Sequence, residues 1–351
     1  MLPLAGQDTL RIRVEVGSGP LRGRVTSSVS FRPVPLALLA LDRPRLDFFG
    51  AEDGSFRLPA LDRGEHRLLV RQLGFKPLEV VLVAGSGGAD TLDLVIEPRA
   101  LVLPTLVATA CATVTDLEPG VRGVLEAASE NARRLDLMQR DYPWAGRYRQ
   151  VREIYGRDGT LLNRIPSRQD LAFWEKPVYR PGRAIVPARG GMVDVAYFSA
   201  TALLADNFRK THCFRFGGVD STESGARMLT LEFEPLTTLS GPDWEGRLVL
   251  DERGVLRKSE ATLVAKKPKD NWPKAVRCQV AYEVVGESLP IESILVCRVQ
   301  MGEPYGNEAI EEWRLECQRF TKKVPGVESG FLPDSTGVWR GRLCPERRRE
   351  P

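Results

Sequence analysis

The sequence predicts a mostly β protein built as two bodies with one helix between them, and three features lead to this fold class. Segments in which apolar and polar residues alternate recur in both halves of the chain, which is typical of half-buried strands. Turn-forming pairs such as Asp53-Gly54 separate these segments. One stretch between the halves instead spaces its apolar residues three and four positions apart, as an amphipathic helix does. We therefore expect an N-terminal β-sandwich, one linking helix, and a C-terminal curved antiparallel sheet, half-barrel-like, with a short helix.

Strand-like segments follow one another closely in the N-terminal part. Residues 9–16 (TLRIRVEV) put apolar side chains on one face and charged side chains on the other. Residues 34–41 are almost wholly apolar, which predicts a central strand. This spacing predicts a sandwich of about seven strands. The other segments that contribute to it are residues 56–58, 66–71, 78–84 and 91–96.

A run of motifs in this part matches a known module. The motifs are Glu52-Asp53-Gly54-Ser55-Phe56-Arg57-Leu58, then Gly64, then Leu73-Gly74-Phe75-Lys76-Pro77. In this order they resemble the carboxypeptidase regulatory-like domain, a transthyretin-like module of exported bacterial proteins, over residues 8–98. The acidic residue and the glycine stand one position closer together than in the commonest form of that module. The resemblance implies a transthyretin-like β-sandwich that binds or spaces, in a protein of the bacterial cell envelope.

The C-terminal half returns to alternating segments after the helix, which the apolar spacing places at about residues 117–139. Its pattern THCFRFGG, then LEFEP, then GRLVLDERGVLRKSEATLVA resembles an uncharacterised sheet domain that follows the regulatory-like module in some envelope proteins. In strand order it is similar to the half-barrels of lipoprotein carriers. The predicted domains are 1–7, a signal-peptide remnant or disordered segment; 8–98, the sandwich; 99–144, a linker with the helix; 145–322, the curved sheet; and 323–351, a C-terminal tail.

Residues 160–192 are rich in Pro, Gly and Arg, which predicts a long loop. The loop contains Phe173, Trp174 and Tyr179 among several arginines. Aromatic and arginine side chains together suit contacts with a sugar or an acidic ligand. These three residues and His212 are therefore candidate ligand contacts. The alternative is a loop that only covers the open edge of the sheet.

Cys278 and Cys297 are the cysteines best placed for a disulfide. If Glu287 and Ser288 form a two-residue loop, the two cysteines lie directly opposite each other on one face of a hairpin. Directly opposed strand residues bring their Cα atoms within disulfide range. Two reduced core cysteines are the alternative, and Cys317 is a rival partner.

The sequence carries no recognisable catalytic or metal-binding motif. The chain has only 2 histidines, and neither G-x-S-x-G nor H-E-x-x-H occurs. His212 and Cys213 are adjacent, so in a strand their side chains point to opposite faces and do not share a metal ion. We therefore expect no catalytic residue, no metal and no cofactor.

Composition limits the partners and the compartment. The net charge of +4 on 351 residues does not indicate a nucleic-acid-binding protein. No apolar run approaches the roughly 18 residues that span a bilayer, so we do not expect an integral membrane protein. MLPLAGQ looks like the end of a secretory signal, the alternative being an ordinary ragged terminus. We expect an exported protein that is periplasmic or associated with the outer membrane.

Three functions are compatible with these features. The first is a non-enzymatic binding or scaffolding protein of the cell envelope, with a protein, glycan or lipid as partner. The second is a periplasmic lipid or lipoprotein carrier, which needs an apolar concave sheet. The third is a hydrolase with an unrecognised site, which needs a cleft where His212 meets a carboxylate and a hydroxyl group.

Overall fold

The computed structural model describes residues 9–101, 110–141, 144–172, 179–187, 193–236, 241–266, 269, 272–285, 288–300 and 308–320. The chain divides into two compact units, with the main boundary between Ala100 and Leu101, and the short segment Val285–Leu289 is grouped with the first unit. It is mostly β, and its sheets are curved and unclosed, so the predicted fold class is confirmed. Among the described residues, every helix lacks the length or the apolar character needed to cross a bilayer.

The N-terminal unit is a β-sandwich. Its described strands are β1 (Leu10–Gly17), β2 (Leu21–Ser27), β3 (Leu38–Leu41), β4 (Leu46–Phe49), β5 (Ser55–Leu58), β6 (Gly64–Arg71), β7 (Leu78–Gly85) and β8 (Thr91–Ile96). One sheet has the order β1-β7-β6-β3-β4 and the other the order β5-β2-β8. The inward-facing residues of the alternating strands form the core between the two sheets, with Val25, Leu68 and Val80 fully buried.

The prediction of a single strand over residues 34–41 was wrong. Only β3, the second half of that run, pairs with its neighbours β4 and β6. Leu36 has a φ angle of 52°, which a strand does not accommodate, and its side chain is nevertheless buried. The apolar run therefore reflects core packing before the strand as well as the strand itself.

The second unit is built on one long antiparallel sheet. In the described residues the sheet has the strand order β10-β9-β19-β18-β17-β16-β15-β14-β13. The elements of this unit are α1 (Pro119–Asp141), β9 (Trp144–Tyr155), β10 (Leu161–Ala172), β11 (Ile185–Pro187), β12 (Val193–Val195), a 3-10 helix (Ala200–Leu204), α2 (Asp206–Thr211), β13 (His212–Ser221), β14 (Arg227–Pro235), β15 (Asp243–Asp251), β16 (Leu256–Val264), β17 (Ala275–Val285), β18 (Leu289–Gln300) and β19 (Glu308–Phe320).

The helices cover one face of this sheet, which we call the inner face. Apolar side chains of α1, such as Val121, Val124 and Ala128, pack in one cluster with inner-face residues of β13 to β18. The 3-10 helix and α2 contribute Leu203 and Phe208 to the same cluster. The opposite, outer face carries the polar half of each alternating strand, because successive side chains point to opposite sides.

A buried asparagine connects α1 to the β15–β16 turn. The Asn131 side-chain amide donates to the carbonyl oxygens of Ala127 (2.8 Å) and Gly254 (2.7 Å). Its oxygen accepts from the backbone N–H of Leu256 at 3.0 Å. One fully buried side chain therefore satisfies both a donor and an acceptor of a turn that is distant in sequence.

The long loop predicted over residues 160–192 was wrong in its first part, because β10 occupies residues 161–172 and pairs with β9. The Pro and Arg content of this segment suits an edge strand. Pro166 lacks a backbone N–H, and a strand at the sheet edge tolerates that loss on its outward side. The composition thus indicated an edge rather than a loop.

Replacing Asn131 with Ala tests the connection between α1 and the sheet. The change leaves the Gly254 carbonyl and the Leu256 N–H buried without their partner, so we expect a loss of about 2–5 kcal/mol in the free energy of unfolding. Urea denaturation followed by circular dichroism measures it. Arg140→Ala, on the exposed part of the same helix, is the control and changes stability by less than about 1 kcal/mol. Equal effects of the two variants would contradict this role of Asn131.

Candidate functional site

The inner face extends beyond the part that the helices cover. Strand register places Cys297, Glu311, Arg152 and Ile165 in one row across β18, β19, β9 and β10. The exposed fraction along this row rises from 1% at Cys297 to 44% at Ile165. The inner face is therefore less buried towards β10 along this row, although Tyr148 of β9 and Leu315 of β19 on the same face are buried.

Apolar side chains continue along this less covered part. We call the set the inner strip, and all its members are partly buried except the exposed Ile165. Register puts them on the face that carries Cys297, since directly paired residues share a face of a sheet. The inner strip consists of Leu295, Val299, Ala309, Trp313, Ile154 and Ile165.

Polar groups interrupt the inner strip at defined positions. The Arg152 guanidinium lies 3.3 Å from the Glu311 carboxylate, and the Ser167 hydroxyl donates to the Gln150 side chain at 2.9 Å. Burial and the Glu311 carboxylate raise the pKa of Tyr197 to about 12, so this phenol remains a neutral donor near the ion pair. The surface is amphipathic: apolar area with a few fixed polar groups, as in many ligand sites.

The outer face carries a ladder of alternating charges. Register aligns Arg215, Glu232, Arg247 and Glu260 across β13 to β16. Arg215 lies 2.5 Å from Glu232, and Arg247 lies 2.6 Å from Glu260. Burial opposes ionisation of Glu260, but hydrogen bonds from Arg247 and Lys258 outweigh it and hold the pKa of this carboxyl below its ordinary value. The positive and negative charges of the ladder therefore neutralise one another.

A cleft of about 310 Å³ opens on this charged face. Cys111 is among its lining residues, and Glu245 and Arg277 add charges outside the ladder. A lining of this kind suits a polar or charged partner and does not suit an acyl chain.

A third group of polar side chains lies in the core of the second unit. The Tyr179 hydroxyl and the Gly182 N–H donate to the two oxygens of the Asp243 carboxylate. His212 Nε2 lies 3.7 Å from Asp243 Oδ2, and the His212 ring stacks on Phe208 at a centroid distance of 3.9 Å. Burial lowers the pKa of His212, although Asp243 opposes the shift. The structure thus brings together two of the predicted contact residues, Tyr179 and His212, through a carboxylate.

This core cluster does not form a catalytic arrangement. The His212 side chain is 0% exposed and that of Asp243 1% exposed, so no substrate in solution reaches them. The hydroxyl belongs to a tyrosine whose pKa is raised by burial and by Asp243, and it donates to the carboxylate rather than to His212. The cluster holds residues 179–182 against β15 instead.

Two disulfides are present in the described residues. One joins Cys278 and Cys297, with a Cα–Cα distance of 4.2 Å, which agrees with directly opposed residues of adjacent strands. The other joins Cys111 and Cys213. Cys111, Cys213 and Glu234 have potential ligand atoms within 4.8 Å of one another, but sulfurs joined in a disulfide do not act as thiolate ligands.

Sequence reasoning missed the Cys111–Cys213 bond and the role of Asp243. Cys111 lies next to Ala112, which exchanges two backbone hydrogen bonds with Phe214, so the segment before α1 continues the sheet at its β13 edge. A single disulfide between distant residues leaves no periodic pattern in the sequence, and its only signal there is the number of cysteines. Phe173 and Trp174, and the side chain of Cys317, lie outside the described residues.

No family model matches the chain, and no curated protein matches it. Solved structures that resemble it include a DUF1329 family protein from Desulfovibrio piger, with 12% identity and a TM-score of 0.30, covering 61% of this chain and 98% of that one. A LolA superfamily protein from Nitrosomonas europaea has 11% identity and a TM-score of 0.26, covering 62% and 97%. MucB in complex with MucA(peri) has 11% identity and a TM-score of 0.16, covering 53% and 92%. These values are too low to carry an argument about function.

The buried His212 makes stability depend on pH. Because the folded-state pKa is lowered, the unfolded chain binds the proton more readily, and the stabilising contribution is lost as the pH falls below the ordinary value of about 6.5. Between about pH 7.5 and about pH 5.5 we expect urea denaturation to show a loss of up to about 1.4 kcal/mol per pH unit from this group. The matched variant His212→Asn loses less stability over this pH range. If its free energy of unfolding depended on pH with the same slope as that of the wild type, His212 would not be the group responsible.

The two disulfides are expected to differ in their contribution to stability. The Cys111–Cys213 bond closes a separation of 102 residues and the Cys278–Cys297 bond one of 19. In the chain-entropy account a loop of about 100 residues contributes about 4.7 kcal/mol and one of about 15 residues about 3 kcal/mol. Denaturation of the Cys111→Ser/Cys213→Ser and Cys278→Ser/Cys297→Ser variants measures the order, and the reverse order would contradict it.

Proposed function

We propose that this protein is a non-enzymatic binding protein of the bacterial cell envelope whose inner strip receives an amphipathic ligand, a lipid or the acyl chain of a lipidated protein. The observation that carries the proposal is the continuation of apolar inner-face residues past the helical cover, where Ile165 is 44% exposed. An open apolar surface next to a packed core lets a chain-like ligand extend the core. The Arg152–Glu311 pair, which interrupts the inner strip, and the Tyr197 hydroxyl provide polar contacts for such a ligand.

The compartment is part of the same proposal. Disulfides persist in oxidising compartments such as the periplasm, and the described residues contain two. The non-enzymatic assignment is supported by both histidines being buried, His66 between two backbone carbonyls and His212 in the core cluster. We also propose that the N-terminal unit is a carboxypeptidase regulatory-like domain. The motif residues Gly54 and Gly74 support it, because each has a φ angle of 77°, which only glycine adopts readily.

A scaffold that binds a polar protein or glycan is the second candidate. The 310 Å³ cleft on the outer face favours it, because Glu245 and Arg277 offer charges beyond those of the ladder. The two candidates use opposite faces of one sheet, so variants on each face distinguish them.

Replacing Ile165 with Glu tests the carrier proposal. Ile165 belongs to the inner strip, whereas Leu161 on the same strand pairs with Tyr155 on the outer face and is 50% exposed. Loss of the apolar contact of Ile165 removes about 1.5–3 kcal/mol, so we expect affinity for a fluorescent fatty acid to fall about ten- to hundredfold. The matched control Leu161→Glu retains affinity. Fluorescence titration measures binding, and native mass spectrometry of the purified wild type detects a co-purified lipid.

Two results would contradict the carrier proposal: no fatty-acid binding by the wild type, or equal effects of Ile165→Glu and Leu161→Glu. Glu245→Lys adds the outer-face comparison. It leaves fatty-acid binding unchanged if the inner strip is the site.

A further inference from the structure

The N-terminal unit exposes two large apolar side chains at one loop tip. The loop follows β2, and we call residues 28–32 the apolar tip. Val29 is 74% exposed and Phe31 is 81% exposed, the two highest values among the exposed large hydrophobic residues that the structure describes. Two highly exposed apolar side chains two positions apart in one loop offer a surface that another apolar medium can cover.

Phe31 is also held in an unfavourable backbone conformation. Its φ angle is 54°, in the left-handed region that a bulky residue rarely adopts. Leu36 has a similar φ angle of 52°, but its side chain is buried in the sandwich and its packing offsets the strain. Phe31 has no such burial to offset its strain. A strained and exposed aromatic residue is therefore costly to folding, and the fold gains nothing visible from it.

The backbone donors of the apolar tip are satisfied within the loop and by β8. The Ser27 hydroxyl accepts from the N–H groups of Val29 and Ser30, and the Ser27 carbonyl accepts from Phe31. The Ser30 hydroxyl accepts from the N–H of Arg32, and the N–H of Ser28 donates to Ile96 at 2.9 Å. Because these N–H groups are already paired, they need no partner from the surroundings, which lowers the cost of entering lipid. This favours lipid over a protein partner that adds a strand.

Basic residues flank the apolar tip. Arg32 belongs to it, and Arg24 is exposed on β2, three residues before that strand ends at Ser27. Asp93 lies opposite Arg24 on β8, and Asp53 also lies close enough to interact with Arg24, so acidic groups offset part of the charge of this arginine. Guanidinium groups beside an apolar projection match a bilayer with anionic headgroups.

We propose that the apolar tip docks the protein on an anionic lipid bilayer. Val29 and Phe31 enter the headgroup–acyl boundary, and Arg24 and Arg32 contact lipid phosphates. This docking surface lies on the N-terminal unit and does not depend on the ligand proposed for the inner strip. Two apolar side chains and a few arginines give reversible binding, not insertion.

Vesicle flotation of the full chain tests the proposal. The wild type floats with vesicles of phosphatidylethanolamine and phosphatidylglycerol, and floats less with phosphatidylcholine alone. Phe31→Asn lowers the partition coefficient on anionic vesicles about ten- to hundredfold. Arg32→Gln lowers it about fivefold on anionic vesicles and has no effect on phosphatidylcholine. Val95→Ser, at an exposed β8 residue outside the apolar tip, retains wild-type flotation.

Thermal unfolding separates docking from a structural role. Asn adopts the left-handed conformation more readily than Phe, so Phe31→Asn keeps or raises the midpoint of unfolding while it loses flotation. A lowered midpoint would assign Phe31 to the fold and overturn the proposal. So would failure of the wild type to float, or equal flotation of Phe31→Asn and wild type. Loss of flotation in Val95→Ser to the same extent would likewise remove the apolar tip as the docking element.

Discussion

The packing of α1 on the inner face is the constraint on which the second unit depends. A long antiparallel sheet with one apolar face must cover that face, and α1, the 3-10 helix and α2 do so over β13 to β18. Asn131 fixes α1 against the β15–β16 turn through backbone groups that would otherwise be buried without partners. Beyond this cover the described apolar side chains are less buried, up to the exposed Ile165, and the proposed ligand site follows from that change.

The two faces of the sheet differ in composition and in what they contribute to the fold. The outer face is solvated and carries a ladder in which each charge meets its opposite on the next strand. The carboxylates of the ladder range from partly exposed Glu232 to buried Glu260, so pairing with arginine offsets the cost of their burial, and the ladder favours this strand register. The inner face supplies the folding energy through apolar burial. The core cluster around Asp243 fastens residues 179–182 without exposing any reactive group.

In the N-terminal unit, the apolar tip differs from the core in how backbone strain compares with side-chain burial. Leu36 and Phe31 have the same unusual backbone conformation, but only Leu36 gains burial in return. The backbone strain at Phe31 is not offset by packing within the unit, which indicates that Phe31 is retained for a contact outside the protein. A two-unit protein that docks by one unit and holds its ligand in the other would combine both proposals, and each one stands on separate residues.

The sequence by itself determined the elements whose signal is local. Alternation predicted many of the strands, although not β2, β4 or β10; three- and four-residue spacing predicted α1, and hairpin register placed Cys278 opposite Cys297. Tertiary structure decided what depends on residues distant in the chain. Residues 161–172 became a strand because β9 offers a partner, Cys111 bonds Cys213 across 102 residues, and Asp243 joins Tyr179 to His212. Local periodicity reports which way a side chain faces; only the packed fold decides what it faces, because that neighbour comes from elsewhere in the chain.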